Sequence, residues 1–215
     1  MTGRSQQSNL ILIGGGGHAK VVLDSLSPTD RARLAGFVDD DPAPGLLTMP
    51  DAPPHMGPLD GEGWMPDAEI MIAVGDLNLR RALISRLAAV ACCPAVVHPS
   101  AVVSASAALG AGVLVGPGAI INAGARAGDH AIINTGAIIE HDCVLGVNTH
   151  IAPGATLGGG VRVGEHTLVG LGSTVLPGIA IGDGCVVGAG SVVIGDVEDG
   201  ATVVGVPGRV LARDV

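Results

Sequence analysis

From Val97 to Val193, stepping by six, seventeen consecutive positions carry Val, Ile or Leu, with Ala127 the lone exception. The place after each is usually Gly, as at Gly110, Gly116, Gly128, Gly146, Gly158 and Gly164. Four steps on lies a second small or β-branched site, as at Ala119, Ala131, Cys143, Thr149, Thr167 and Ser173. An amphipathic helix needs apolar spacing near 3.6, and so much Gly and Val makes a poor helix. Short β segments joined at Gly-rich corners satisfy the pattern, because Gly tolerates the positive φ that tight corners need. One aliphatic every six residues, pointing inward on successive coils, gives stacked ladders that no single hexad could bury alone. A loose Gly-rich linker would not place a branched aliphatic at every sixth position.

Composition agrees with stacked coils of small side chains. Apolar residues are 47% of 215, yet only Phe37 and Trp64 are aromatic, so the core cannot lean on rings. Mean hydropathy is +0.53, but the longest apolar run, Leu87 to Val97, is short for a membrane span and is broken by Pro94. The first nine residues are polar and Leu10–Ile13 is too short for a signal-peptide core, so a soluble, cytoplasmic chain is expected. The net charge of −9, with no Lys/Arg cluster, disfavours nucleic acid, whose affinity comes largely from phosphate neutralisation. The four cysteines, Cys92, Cys93, Cys143 and Cys185, form no C-x-x-C pair and are expected as reduced thiols.

Residues ahead of the repeat read differently. Asn9–Gly14 is a buried strand running into the loop Gly14-Gly15-Gly16-Gly17-His18-Ala19, followed by a helix over Lys20–Leu26. Leu34–Val38 and Glu69–Val74 are further strands, and Asn78–Val90 a second helix. Strands alternating with helices imply a small Rossmann-like parallel α/β domain, expected over residues 1–92, with the hexads in 93–215. The glycine loop satisfies G-x-G-x-x-A, with Asp39 some twenty residues on, the pattern that cradles phosphate on bare N–H groups and a helix start. So short a domain is about one mononucleotide-binding half, which suits a nucleotide diphosphate rather than specifically a nicotinamide. The alternative is a glycine turn that only lets strand and helix pack closely.

Unbroken hexads resemble the left-handed parallel β-helix of hexapeptide-repeat acyltransferases. That resemblance implies three hexads per triangular coil, five to six coils, and a homotrimer with active sites between neighbouring prisms. With Gly-Gly-Gly-His-Ala-Lys and Gly-Phe-Val-Asp-Asp-Asp ahead of Glu140-His141-Asp142-Cys143, the whole chain is similar to the sialic-acid O-acetyltransferase and nucleotide-amino-sugar N-acetyltransferase family. Within it the overall likeness is greatest to members acting on GDP-perosamine. The resemblance implies acetyl-CoA as co-substrate and a nucleotide-linked 4-amino-6-deoxy sugar as acceptor, GDP- or UDP-linked, with no metal and no membrane insertion. Its product would feed a surface polysaccharide.

Moving acetyl from a thioester to an amine needs a base for the amine proton, and an imidazole with an ordinary pKa near ~6.5 suits that task. His141 sits at the third place of its hexad, where a side chain projects outward between Glu140 and Asp142. It matches the family's catalytic histidine, and Asp142 the acidic residue that orients it. The resemblance also places His150 at the acetyl group, Asn134 near the sugar, and the Gly159 N–H on the thioester oxygen. It assigns Arg209 or Arg213 to a CoA phosphate, and Gly14–Gly17, His18, Lys20, Asp39 and Asp40 to the nucleotide sugar. A surface histidine, an asparagine ladder with Asn122 and solvated terminal arginines are the plainer alternatives. Cys143, a possible nucleophile, occupies a place that elsewhere holds inward Ala, Thr and Ser, so a structural thiol and direct transfer are expected. A zinc site of His141, His150 and His166 has spacings of nine and sixteen, which do not resemble the three-histidine pattern of the zinc carbonic anhydrases built on such β-helices. A non-catalytic nucleotide-sugar sensor that uses the hexads only to trimerise is the rival from outside enzymology.

Overall fold

A computed structural model describes residues 9–61 and 68–211, in two compact units, one ending at Cys93 and one beginning at Pro94. In the first, β1 (Leu10–Ile13) is central and parallel to both β2 (Leu34–Val38) and β3 (Glu69–Ile72), giving the order β2-β1-β3. All four residues of β1 are buried, as its unbroken apolar run requires for a strand covered on both faces. Among the described residues three α-helices accompany the sheet: α1 (Gly17–Ser25), α2 (Pro28–Arg33) and α3 (Leu77–Arg86). Helix α1 starts three residues earlier than expected, so Gly17 and His18 are already helical, and β3 stops at Ile72 rather than Val74. The unforeseen α2 carries a legible start signal: Ser27 accepts the Asp30 N–H at 3.1 Å, with Pro28 in the first turn.

The second unit is a parallel β-solenoid. Strands β4 to β20 are seventeen two-residue segments, from Val96–Val97 to Val192–Val193, each six residues after the last. Each pairs with the strand three along, eighteen residues away, so three hexads close one coil. Three sheets result, which we call faces one (through β4), two (through β5) and three (through β6). Every residue of the aliphatic ladder is the second residue of its strand, and from Val115 onward all are buried, Ala127 included. Face one is extended by β21 (Thr202–Val204), on which β22 (Arg209–Val210) folds back antiparallel.

The small site of each hexad knits one coil to the next. Thr149 Oγ1 donates to Gly164 O at 3.1 Å, Thr167 Oγ1 to Gly182 O at 2.7 Å, and Ser173 Oγ to Gly188 O at 2.9 Å. The glycines correct one expectation. Those directly after the ladder residue are needed for close approach and not for positive φ: a Cβ on Gly146 would lie 2.6 Å from Glu165 N of the next coil. Positive φ falls two places later, at fourteen positions from Gly112 to Gly190, ten of them Gly and four His130, Asp142, Asn148 and His166.

Candidate active site

His141 and Asp142 form the turn from face two (Ile138–Ile139) to face three (Val144–Leu145). The turn is anchored to the coils on both sides: Asp142 N–H donates to Ala123 O at 3.0 Å, and Gly160 N–H to His141 O at 2.8 Å. Asp142 takes the left-handed conformation, φ 60°, at a place where glycine is the rule. Asp tolerates that region better than most residues, at a cost of about 1 kcal/mol or somewhat more. In return its Oδ2 stands 2.9 Å from His141 Nδ1. A carboxylate oxygen only accepts, so in the neutral imidazole this contact favours the tautomer with the hydrogen on Nδ1 and the lone pair on Nε2. Both side chains are mostly exposed, 63% and 74%, so a substrate can reach the ring.

One coil above, Gly159 faces the same imidazole. A Cβ there would fall 2.5 Å from His141 Nε2 and 2.6 Å from Cε1, and its φ is not positive, so glycine is required here to admit the ring. Gly159 O accepts the Gly178 N–H at 2.9 Å, while its own N–H has no acceptor among the described residues. Cys143, one residue past Asp142, is fully buried, and its Sγ donates to Gly158 O at 3.2 Å, the same coil-to-coil bond that Thr149 and Thr167 make. Burial, with Glu140 and Asp142 adding to it, pushes this thiol above the usual cysteine value. A buried, protonated thiol is a poor nucleophile.

Asn134 and His150 also meet, Nδ2 to Nε2 at 3.3 Å. Asn134 follows a face-one strand, at the turn into face two, and His150 opens the next face-one strand. The prism therefore carries His141 and Asn134 on successive corners, at opposite edges of face two, and does not unite them within one chain. Arg209 is exposed on β22 with Nη1 on Gly208 O at 2.9 Å, and Arg213 lies outside the described residues. Among the described residues no group of three or more His, Cys, Asp or Glu could hold a metal ion, and no helix is long and apolar enough to cross a membrane.

In the first unit the glycine run divides its labour. Gly14, at φ +102°, would place a Cβ 2.7 Å from Val74 Cγ2, and a Cβ on Gly15 would overlap the Phe37 ring. Gly16 and Gly17, at the start of α1, have open space beside them. The Gly15 N–H donates to Asp39 Oδ2 at 2.6 Å and the Asp41 N–H to Asp39 Oδ1 at 2.9 Å, so Asp39 ties the loop to the end of β2. Asp40 Oδ1 accepts the Leu59 N–H at 2.9 Å, and Lys20 Nζ donates to Thr48 Oγ1 at 2.8 Å. Gly14, Asp39, Asp40, Val74, Leu79 and Leu83 line a crevice of about 190 Å³ at the carboxyl ends of the three strands. In an open parallel sheet that is where ligands bind, at the point where strand order reverses. His18, in the first turn of α1, is half-buried. Burial, and secondly the charge of Arg80, lower it to about 4, so it is neutral at neutral pH. Arg80 itself, on α3 and fully buried, is a residue the sequence offered no reason to single out.

Comparison with known proteins covers nearly the whole chain. The family model for the PglD N-terminal domain matches residues 9–87, and that for the hexapeptide repeat of succinyl-transferase matches residues 136–164 and 160–194. No curated protein matches the chain. Among solved structures, a histidine-to-asparagine mutant of perosamine N-acetyltransferase from Caulobacter crescentus, in complex with CoA and GDP-perosamine, is 39% identical, with TM-score 0.85 over 96% of this chain and 98% of that one. A histidine-to-alanine mutant of the GDP-perosamine N-acetyltransferase from the same organism, with the same ligands, is 39% identical, TM-score 0.83, over the same shares. The acetyltransferase domain of PglB from Neisseria gonorrhoeae FA1090, in complex with acetyl coenzyme A, is 35% identical, TM-score 0.84, over 94% and 98%. Matched almost end to end at these identities, the chain belongs to the nucleotide-amino-sugar N-acetyltransferase family of hexapeptide-repeat acyltransferases.

Proposed function

We infer that this protein transfers acetyl from acetyl-CoA to the 4-amino group of a nucleotide-linked 4-amino-6-deoxy sugar, with GDP-perosamine as the acceptor. The observation that carries it is the His141–Asp142–Gly159 arrangement on a chain matching, end to end, a perosamine N-acetyltransferase bound to CoA and GDP-perosamine. His141 Nε2 takes a proton from the sugar amine as its nitrogen attacks the thioester carbonyl carbon. Asp142 holds the tautomer and steadies the imidazolium that forms. The Gly159 N–H faces the developing oxyanion, a donor of the kind worth about 10²–10³ in rate. Collapse breaks the C–S bond, and the imidazolium returns the proton to the departing thiolate, leaving the N-acetyl sugar and free CoA.

The acceptor's diphosphate would lie at the glycine loop, on the bare N–H groups of Gly16 and Gly17, with Asp39 and Asp40 beside it. Asn134 and His150 would contact the sugar and the acetyl group, and Arg209 or Arg213 a CoA phosphate. Because His141 and Asn134 flank face two, one copy would present His141 where the next presents Asn134 and His150. A homotrimer meets that need. The outward row of face two, Val102, Ile120, Ile138, Thr156, Thr174 and Val192, is β-branched throughout and suited to packing on another copy. The enzyme would act in the cytoplasm, where acetyl-CoA is available.

The test is CoA release from acetyl-CoA, followed with a thiol reagent across GDP- and UDP-linked 4-amino sugars and the matching sugar alcohols. GDP-perosamine should be the best acceptor. Release with the alcohols alone, or with none of the amines, overturns the assignment. Cys143→Ala is expected to keep wild-type kcat within about twofold, since the thiol only bonds Gly158 O. Trapping of an acetylated Cys143 would contradict direct transfer.

A further inference from the structure

The largest side chain buried completely among the described residues is a charged one, Arg80, at 1% exposure. A guanidinium is kept out of water only where its hydrogen bonds or its charge are used. Arg80 Nη1 donates to Val74 O at 3.1 Å and to Gly75 O at 3.2 Å, the two carbonyls that lead from β3 toward α3. Val74 lines the crevice at the strand ends, and so do Leu79 and Leu83, from Arg80's own helix. Gly75 packs on the opposite helix start: a Cβ built on it would lie 3.4 Å from the His18 Cβ, beside open Gly16 and Gly17. Burial outweighs the pull of Asp76 and lowers the guanidinium to about 10, which leaves it charged at neutral pH. The same charge helps keep His18 neutral. A fixed cation thus stands behind one wall of the crevice, on a chain whose net charge is −9.

We propose that Arg80 is a positioning residue for the nucleotide diphosphate. Its guanidinium holds the Val74–Gly75 turn against His18, fixing the spacing between the crevice wall and the start of α1, and its charge favours the anion bound there. This role rests on the acetyltransferase function inferred above and supplies the buried support of its nucleotide site.

Arg80→Met and Arg80→Lys, made in the full chain, separate this role from simple structural support. Steady-state kinetics would give KM for the nucleotide sugar and for acetyl-CoA, calorimetry the affinity for GDP and UDP alone, and circular dichroism the melting. In Arg80→Met the KM for the nucleotide sugar and the Kd for GDP should each rise about tenfold or more, with KM for acetyl-CoA within about twofold. Arg80→Lys keeps the charge, but its ammonium ends one bond short of the Nη1 position that bonds both carbonyls, so it should recover only part of the loss, leaving about threefold. A folded Arg80→Met with unchanged nucleotide affinity overturns the role, as does an equal rise in both KM values. If Arg80→Met does not fold, Arg80→Lys decides, and wild-type GDP affinity in it overturns the role. A wild-type chain that binds neither GDP nor UDP overturns the acetyltransferase function along with it. Wild-type binding with both variants unchanged overturns the Arg80 role alone.

Discussion

His141→Asn is expected to lower kcat for acetyl transfer by about 10²–10⁴-fold while leaving the affinity for CoA and the nucleotide sugar within about threefold. Asparagine approximates the shape of the imidazole near Cβ and can still bond Asp142, but it offers no nitrogen that accepts a proton near neutrality. The side chain is mostly exposed and bears on no core ladder, so melting should not move. Single-turnover assays with calorimetry of each ligand would check both halves. A variant that keeps more than about a tenth of the wild-type rate would remove His141 as the base. A variant that loses nucleotide affinity as well would make the histidine a binding group first. A protein that only senses nucleotide sugars would be indifferent to the change.

Gly159→Ala should be nearly as damaging to catalysis, for a purely steric reason. The added methyl would sit 2.5 Å from His141 Nε2, and the exposed ring, held by one bond to Asp142, is the part free to move. A shift of about 1 Å at a reacting group can cost about 10² in rate. Stability should change by less than about 1 kcal/mol, because the φ at 159 is not positive and the atoms met belong to a side chain. Gly158→Ala is the matched control. Its methyl would meet Pro177 N at 2.6 Å, backbone of the next coil that cannot swing away, so that variant should lose folding stability. Paired melting curves and kcat values for the two variants would show the contrast. Equal activity in Gly159→Ala and wild type would mean that the imidazole works in another orientation.

The repeat was legible residue by residue because its information is local. A coil can stack only if an aliphatic side chain returns to the same inward place every six residues, and each ladder position from Val97 to Val193 is the second residue of its strand. The strand ends in the first unit were less so. Gly17 and His18 were expected in a loop and are helical, since glycines leave a helix start unmarked when no side chain caps it. The Ser27-Pro28-Thr29-Asp30 start of α2 is readable from its capping pattern. At the site, the pairing of His141 with Asp142 follows from adjacency plus one left-handed residue, and that conformation is invisible in a list of letters.

What this chain's letters determined unaided was the period, and with it the inward place in every hexad, the inward burial of Cys143 and the exposure of His141. Those features depend only on neighbours a few residues away or on an exact repetition. Three things waited for the folded chain: which glycine admits a neighbouring coil and which turns the corner, the meeting of Asn134 with His150 away from His141, and the burial of Arg80 behind the crevice. Each is set by atoms brought together from distant parts of the sequence, where close packing, and not local preference, decides what a residue touches.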